Sequence, residues 1–164
     1  MDNASLKKSI VAILRKNART PVKEIAERLS ITEDRAAELM KALEAEQVIM
    51  GYTAIVSDAA YEGEVRAIIE VAVQPERDTG FDTIAEKLSK FPEVQSMYLV
   101  SGQYDLRLEI VGHSLQEVAS FVAAKLACQD GVKATATYFL LKKYKEAGVQ
   151  LNKDEKYERL KIVP

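Results

Sequence analysis

The chain is poor in the residues that make cross-links and metal clusters: of its 164 residues, one is cysteine and one is histidine. It also has no tryptophan. A single cysteine, Cys128, excludes an internal disulfide framework and a cysteine metal cluster, and we expect no metal site. Because Cys128 falls in an apolar helical pattern, it is expected to be a small buried hydrophobe. No apolar run approaches the roughly 18 residues of a membrane span. No basic segment leads into an apolar one, so we expect a soluble, cytoplasmic protein without a membrane partner.

The chain also lacks a strong charge of either sign, with a formal net charge of −2 and a pI near 5.6. It is therefore no polycation that coats nucleic acid, and any DNA contact has to be local. Paired carboxylates, a nucleophile elbow, a phosphate loop and metal-ligand spacings are all missing. We therefore expect no enzyme, no catalytic residues and no cofactor.

The hydrophobic pattern is helical before Val48 and strand-like after it. Three short helices are predicted in the first part: one over about Ser5–Asn17, one after a start signal at Thr20 and Pro21, and one capped by Thr32. The close junction of the last two is typical of a helix-turn-helix. A small bundle that only packs or dimerises fits the same pattern.

The third helix is acidic for a helix that would read DNA. At about 100° per residue, its outward positions are Asp34, Glu38, Lys41 and Ala45, of which only one is basic. Glu33 and Asp34 lie in the first turn of the helix, where negative charge interacts favourably with the helix dipole. The candidate DNA contacts are polar and basic residues of the second and third helices, with a solvated surface as the alternative. They are Thr20, Lys23, Thr32, Arg35 and Lys41.

The second part of the chain predicts the order strand, helix, strand, strand, helix, strand. The strands are expected at 65–73, 94–100, 106–111 and 132–141. This order fits an α+β fold in which a ferredoxin-like sandwich has both helices on one face of an antiparallel sheet. We expect one domain with an extended linker over residues 1–57, a second over 63–145, and a C-terminal tail over 146–164.

The face of the sheet away from the helices needs a cover, because the strands are apolar on both sides. The apolar residues assigned to that face are Ile68, Met97, Leu99, Phe139 and Leu141. Dimerisation of two sheets is the economical explanation. A single domain covered by its own C-terminal tail is the competing one.

Two segments carry a resemblance to a known family: "LSITEDRAAELMKALEAEQVIMGYTAIV" and "FPEVQSMYLVSGQYDLRLEIVG". With the order of the elements, they make the chain similar to the Lrp/AsnC regulators over about Leu6 to Leu141. The resemblance implies an N-terminal winged helix-turn-helix that binds DNA and a RAM domain for effector binding and oligomerisation. It further implies dimers that pair through the sheets and assemble into tetramers or octamers, with a small effector, usually an amino acid, between dimers.

The loop Ser101–Asp105 is the candidate effector site that this resemblance implies. Gly102 and Asp105 match the glycine and acidic residue of the family's loop, with Gln103 and Tyr104 between them. A carboxylate suits the ammonium of an amino acid, and backbone amides near a glycine suit its carboxylate. The alternative is a plain turn, in which Gly102 provides a positive φ and Asp105 caps the loop backbone.

Departures from the family leave two other functions open. Leu39 and Ala42 stand where the leucine-responsive protein is rich in arginine, and Gln47 stands where the family often has glycine. A metabolite-binding oligomer with a degenerate DNA-binding head is therefore one alternative. Haem-pathway decarboxylases resemble this family too, and histidine is prominent in their sites. The single histidine, His113, is expected in an exposed loop, so we expect a regulator and not such an enzyme.

Overall fold

The computed structural model of the protein describes residues 2–61, 63–78 and 80–151. The chain divides into two compact units, Met1–Ile55 and Val56–Pro164. Most of the predicted C-terminal tail, from residue 152 onward, lies outside the described residues. None of the described helices is both long and apolar enough to cross a membrane.

The first unit consists of three helices, α1 (Asn3–Lys16), α2 (Val22–Leu29) and α3 (Glu33–Ala45). Each helix has apolar residues on one face, and the three faces meet in a common core. The predicted helical pattern is therefore confirmed. The buried core residues are Leu6, Ile10, Leu14, Ile25, Ala26, Ala36, Leu39 and Leu43.

The junction of α2 and α3 has a cap at each end. Ser30 ends α2 in the left-handed region, at φ 55°. The Thr32 hydroxyl accepts a hydrogen bond from the Arg35 amide at 3.2 Å, which confirms the predicted cap of α3. Thr20 does not cap α2: Pro21 occupies the capping position, and the Thr20 hydroxyl donates to the Asn17 carbonyl at 2.7 Å.

Helix α3 ends in a Schellman motif centred on Gln47. The Val48 amide donates to the Leu43 carbonyl at 2.9 Å and the Gln47 amide donates to the Glu44 carbonyl at 3.0 Å. This motif places Gln47 at φ 55°, where a residue with a Cβ is strained. The position where the family often has glycine is thus one whose backbone favours glycine.

Replacing Gln47 by glycine is expected to stabilise the first unit by about 0.5–1 kcal/mol, because the strain at positive φ exceeds glycine's extra unfolded-state entropy. Chemical denaturation would measure the change. Ala45→Gly is the matched control, since Ala45 is exposed in the last turn of α3, has a helical backbone and gains nothing from the loss of its Cβ. Equal effects of both substitutions would contradict the strain at residue 47.

After α3, residues 50–57 have no regular secondary structure, and no described residue of this stretch pairs as a wing strand. The Tyr52 hydroxyl donates to a Glu44 carboxylate oxygen at 2.8 Å, which ties the segment to α3. This hydrogen bond is the main reason that the pKa of Tyr52 is raised. Met50 is 87% exposed, so the segment leaves apolar surface in water.

The second unit begins with a 3₁₀ turn at Asp58–Tyr61 and then follows the predicted order of strands and helices. Its four-stranded antiparallel sheet has the order β2-β3-β1-β4, which is the ferredoxin-like arrangement. The elements are β1 (Val65–Val73), α4 (Asp82–Ser89), β2 (Val94–Leu99), β3 (Leu106–Gly112), α5 (Leu115–Phe121) with a π-helical extension (Val122–Leu126), and β4 (Val132–Phe139).

Both helices pack on one face of this sheet, as predicted. The buried residues of α4 and α5 share one cluster with Ala67, Ile69 and Val71 of β1. Phe91 and Phe121 meet edge to face, with ring centroids 5.6 Å apart. The opposite side of the sheet, here called the open face, carries no helix among the described residues.

The residues that the sequence assigned to the open face are mostly on the wrong side. Met97 pairs with buried Leu108, and Leu99 pairs with buried Leu106, so both lie on the helix side. Phe139 is likewise opposite buried Ala67. Leu141 lies beyond the end of β4, and of the five residues only Ile68 is on the open face. The hydrophobic pattern of a strand that is apolar on both sides does not determine which face of the sheet a residue lies on, whereas the pairing of the strand with its neighbours does.

Cys128 is exposed, so its predicted burial is wrong. The helix widens to π-helical geometry at Val122–Leu126 and ends before Cys128. The thiol donates to the carbonyls of Ala123 and Ala124 at 3.1 and 3.0 Å. An apolar pattern alone does not reveal such a change of helical pitch.

A short hairpin follows the sheet, with β5 (Lys145–Glu146) paired to β6 (Val149–Gln150). Ala147 and Gly148 form its turn, with φ 42° and 89°. The hairpin includes residue 145, at which the second domain was predicted to end. That domain boundary stays a prediction.

Candidate DNA-binding and effector sites

The outer surface of α3 is placed as the helical pattern predicts. Asp34, Glu38, Lys41 and Ala45 are all exposed, opposite the buried stripe. Lys41 takes part in no ion pair or hydrogen bond with any described residue. It is therefore a cation with no competing carboxylate partner.

Arg35 is not free in the same way. Its guanidinium is 2.8 Å from a Glu38 carboxylate oxygen and donates to the Asn3 side chain at 2.7 Å. These contacts join the start of α3 to the start of α1. Arg35 therefore has a structural role, and a phosphate would have to compete with Glu38 for it.

The other predicted DNA contacts differ in their availability. Lys23, in the first turn of α2, is exposed and has no partner within the described part of the chain. Thr32 already uses its hydroxyl as a cap. Thr20 is 6% exposed and has donated its hydroxyl hydrogen, so it is not available to DNA in this conformation.

Further cations surround the helix-turn-helix. Two of them are neutralised locally, since Lys7 pairs with Glu46 at 2.5 Å and Arg28 pairs with Glu24 at 2.5 Å. Four others are exposed and have no ion pair among the residues described. These are Lys8, Arg15, Lys16 and Arg19. Unpaired cations at this density can hold the DNA backbone while the acidic α3 contributes little charge.

The loop Ser101–Asp105 joins β2 to β3 and is fixed at one end by Asp105. The Asp105 amide donates to the Val71 carbonyl at 3.1 Å, and its carboxylate accepts from the Val73 amide at 2.9 Å. The Val100 amide donates to the Asp105 carbonyl at 2.8 Å. Asp105 thus anchors the loop to the end of β1, which is the structural role that the turn interpretation gives it.

The first part of the loop is open. Ser101, Gly102 and Gln103 are exposed, and their amides donate to no described group. Gly102 does not have a positive φ, so the turn interpretation is wrong about this residue. A Cβ at Gly102 would meet no atom within 4 Å, which shows that its backbone is accessible. Free amides can donate hydrogen bonds to the carboxylate of a zwitterion, and the carboxylate of Asp105 can accept from its ammonium.

Tyr104 extends this site toward the open face of the sheet. It is half-buried and close enough to Tyr138 to affect its ionisation. The negative charge of Glu70 is the main reason that the pKa of Tyr138 is raised. Tyr104 and Glu70 are therefore both near Tyr138, between the loop and the sheet.

The sequence analysis did not select the charged residues of the open face. These are Arg66 and Glu70 on β1 and Arg107 and Glu109 on β3. Charges an even number of residues apart within otherwise apolar strands, and therefore on one face, are the signal that could have found them. His113 is exposed, as expected, and its amide donates to a Glu117 carboxylate oxygen at 2.6 Å.

A helix-turn-helix followed by a ferredoxin-like domain is the organisation of a two-domain regulator, with a DNA-binding head and a ligand-binding domain. Residues 5–50 match the family model of a winged helix-turn-helix DNA-binding domain, and residues 66–150 match that of the Lrp/AsnC ligand binding domain. The chain belongs to the Lrp/AsnC family of transcriptional regulators.

Individual relatives agree with this assignment over almost the whole chain. The HTH-type transcriptional regulator YugG of Bacillus subtilis is 39% identical over 94% of this chain and 95% of its own. LrpA of Pyrococcus horikoshii is 33% identical over 84% of this chain and 96% of its own. A solved transcriptional regulator of Neisseria meningitidis, in complex with L-Met, superposes with a TM-score of 0.69 at 25% identity, covering 93% of this chain and 97% of its own.

Proposed function

We propose that this protein regulates transcription by binding DNA through its helix-turn-helix and an amino acid or a related metabolite through the loop Ser101–Asp105. The observation that carries the proposal is that one loop contains both free backbone amides and an anchored carboxylate. The complex of the Neisseria meningitidis relative with L-Met supports an amino acid as the class of ligand.

On the DNA side, the phosphate contacts come from exposed, unpaired cations around the head, with Lys23 and Lys41 on the two helices of the motif. Arg35 and Thr32 position α3 and make no independent contribution to affinity. A head of this kind binds DNA with a strong dependence on salt, since phosphate contacts release counterions.

On the effector side, the amides of residues 101–103 donate to the ligand carboxylate, and Asp105 receives its ammonium. The Tyr104 ring provides an apolar wall next to the ligand side chain. Ligand binding and DNA binding are linked through assembly, because an effector that favours one oligomer changes the arrangement in which the heads meet DNA.

The assembly proposed is a homodimer that pairs through the open faces of the two sheets, with dimers associating further into tetramers or octamers. Exposed Tyr98 and Tyr138 support it, since an isolated domain would leave both rings in water. Membership of a regulator family favours this function over an enzyme of the same fold.

Asp105→Asn is expected to weaken the effector at least about tenfold, because a charge-assisted hydrogen bond to the ammonium is worth roughly 1.5–3 kcal/mol. Asparagine keeps an oxygen that can accept from the Val73 amide, so the loop anchor is retained. A panel of the standard amino acids, tested by thermal shift, identifies the ligand, and titration calorimetry then compares the two proteins.

Asp130→Asn is the matched control, since Asp130 is an exposed carboxylate elsewhere in the same domain. It should bind the ligand as the unaltered protein does. Full affinity in Asp105→Asn would show that the ammonium does not meet Asp105. If none of the amino acids in the panel shifts the melting temperature, an amino-acid effector would be contradicted.

A further inference from the structure

The open face of the sheet has opposite charges at its centre. The strand order places β3 and β1 in the middle, where Glu70 lies directly opposite Arg107. Both side chains are on the open face, because their strand neighbours Val71 and Leu106 are buried under the helices. Within the described residues, neither Glu70 nor Arg107 has an ion-pair partner.

The surface around this pair combines exposed aromatic rings with a depression that has both apolar and charged residues in its lining. Arg107 borders a shallow depression of about 490 Å³, which is also lined by Ile68, Tyr98 and Glu109. Both open-face tyrosines are exposed: Tyr98, on the edge strand β2, is 56% exposed, and Tyr138, on the opposite edge strand β4, is 53% exposed. A partner that fits this face has to bury aromatic rings and meet one positive and one negative centre.

A second copy of the chain meets both requirements for one choice of symmetry axis. If the two-fold axis lies between the sheets, parallel to the strands and midway between β3 and β1, it exchanges the two central strands. Arg107 then faces Glu70 of the second copy, and Glu70 faces Arg107 of the second copy. The pairing is reciprocal, so one dimer contains two such contacts.

We infer that two copies pair through the open face in a register set by reciprocal ion pairs between Arg107 and Glu70. The inference rests on the proposed homodimer and adds which residues of the two sheets meet. Opposite charges that face each other across the interface favour this register, and a shifted register that brings like charges together is disfavoured.

The test is a charge-swap series followed by sedimentation velocity over a range of protein concentrations. Arg107→Glu alone, or Glu70→Arg alone, places like charges against each other at two points between the copies. It also places them on neighbouring strands of each chain, so the free energy of unfolding of each single variant is measured beside its dimerisation. Each is expected to raise the dimer dissociation constant at least tenfold. The double variant, Glu70→Arg with Arg107→Glu, restores opposite charges and is expected to return the constant to within about threefold of the original.

Lys87→Glu is the matched control, because it reverses an exposed charge on α4, on the helix side of the sheet. It should leave the dimer unchanged, and far-ultraviolet circular dichroism verifies that every variant is folded. Two outcomes would overturn the register while leaving the dimer in place. One is that the single reversals have no effect on the dissociation constant. The other is that the double variant loses as much free energy of dimerisation as the two single variants together. A monomeric unaltered protein would overturn both the register and the proposed dimer.

Discussion

The double substitution Lys23→Ala with Lys41→Ala is expected to lower the affinity for duplex DNA at least about tenfold at low salt. It is also expected to reduce the slope of log affinity against log salt by about two, because each lysine is expected to neutralise one phosphate. The reason is that both cations are exposed on the helix-turn-helix and neither is neutralised by a described carboxylate. Fluorescence anisotropy across a salt series measures both quantities.

A double variant of the second domain, Lys87→Ala with Lys133→Ala, removes the same charge from exposed positions outside the head. Its affinity and salt slope should stay close to those of the unaltered protein. If both double variants weaken binding equally, net charge and not the helix-turn-helix determines binding. Arg35→Ala should instead lower stability, because its guanidinium joins α1 to α3.

Ile69→Ala is expected to destabilise the second domain by about 2–5 kcal/mol, since it leaves a cavity in the middle of the core. Ile69 is fully buried on the central strand β1 and lies in the cluster formed by the sheet and both helices. Chemical denaturation at fixed protein concentration measures the change in the free energy of unfolding, because dimerisation contributes to the apparent stability.

Leu115→Ala is the matched control for this cavity. Leu115 is 55% exposed at the start of α5, so its truncation should cost less than about 1 kcal/mol. A similar cost for the two substitutions would show that the packing of β1 against the helices is not the main source of stability.

The fold was predictable because the two hydrophobic periods differ so clearly along this chain. Apolar residues at helical spacing define the three helices of the head, and apolar residues at every second position of Val65–Val73 define the inner face of β1. Chain order then limits the second domain to few topologies. The side of the sheet was not predictable for Met97 and Phe139, because β2 and β4 are apolar on both faces.

The candidate sites were predictable only as positions in the sequence. Asp105 was selected for a ligand, whereas its bond to the Val73 amide depends on how β1 ends beside the loop. Thr20 was selected for its place before Pro21, but a local turn directs its hydroxyl to the Asn17 carbonyl. Contacts between distant parts of the chain, such as Arg35 with Asn3, have no local signal.

The measurement that tests the central claim most directly is the binding of the intact protein to duplex DNA from the region upstream of its own gene. Anisotropy across a salt series, with an unrelated duplex of equal length, separates specific binding from charge alone. We predict binding to the upstream duplex that is tighter by a factor on the order of 10³, with a steep salt slope. Equally weak binding to both duplexes, with a flat salt slope, would contradict a DNA-reading head.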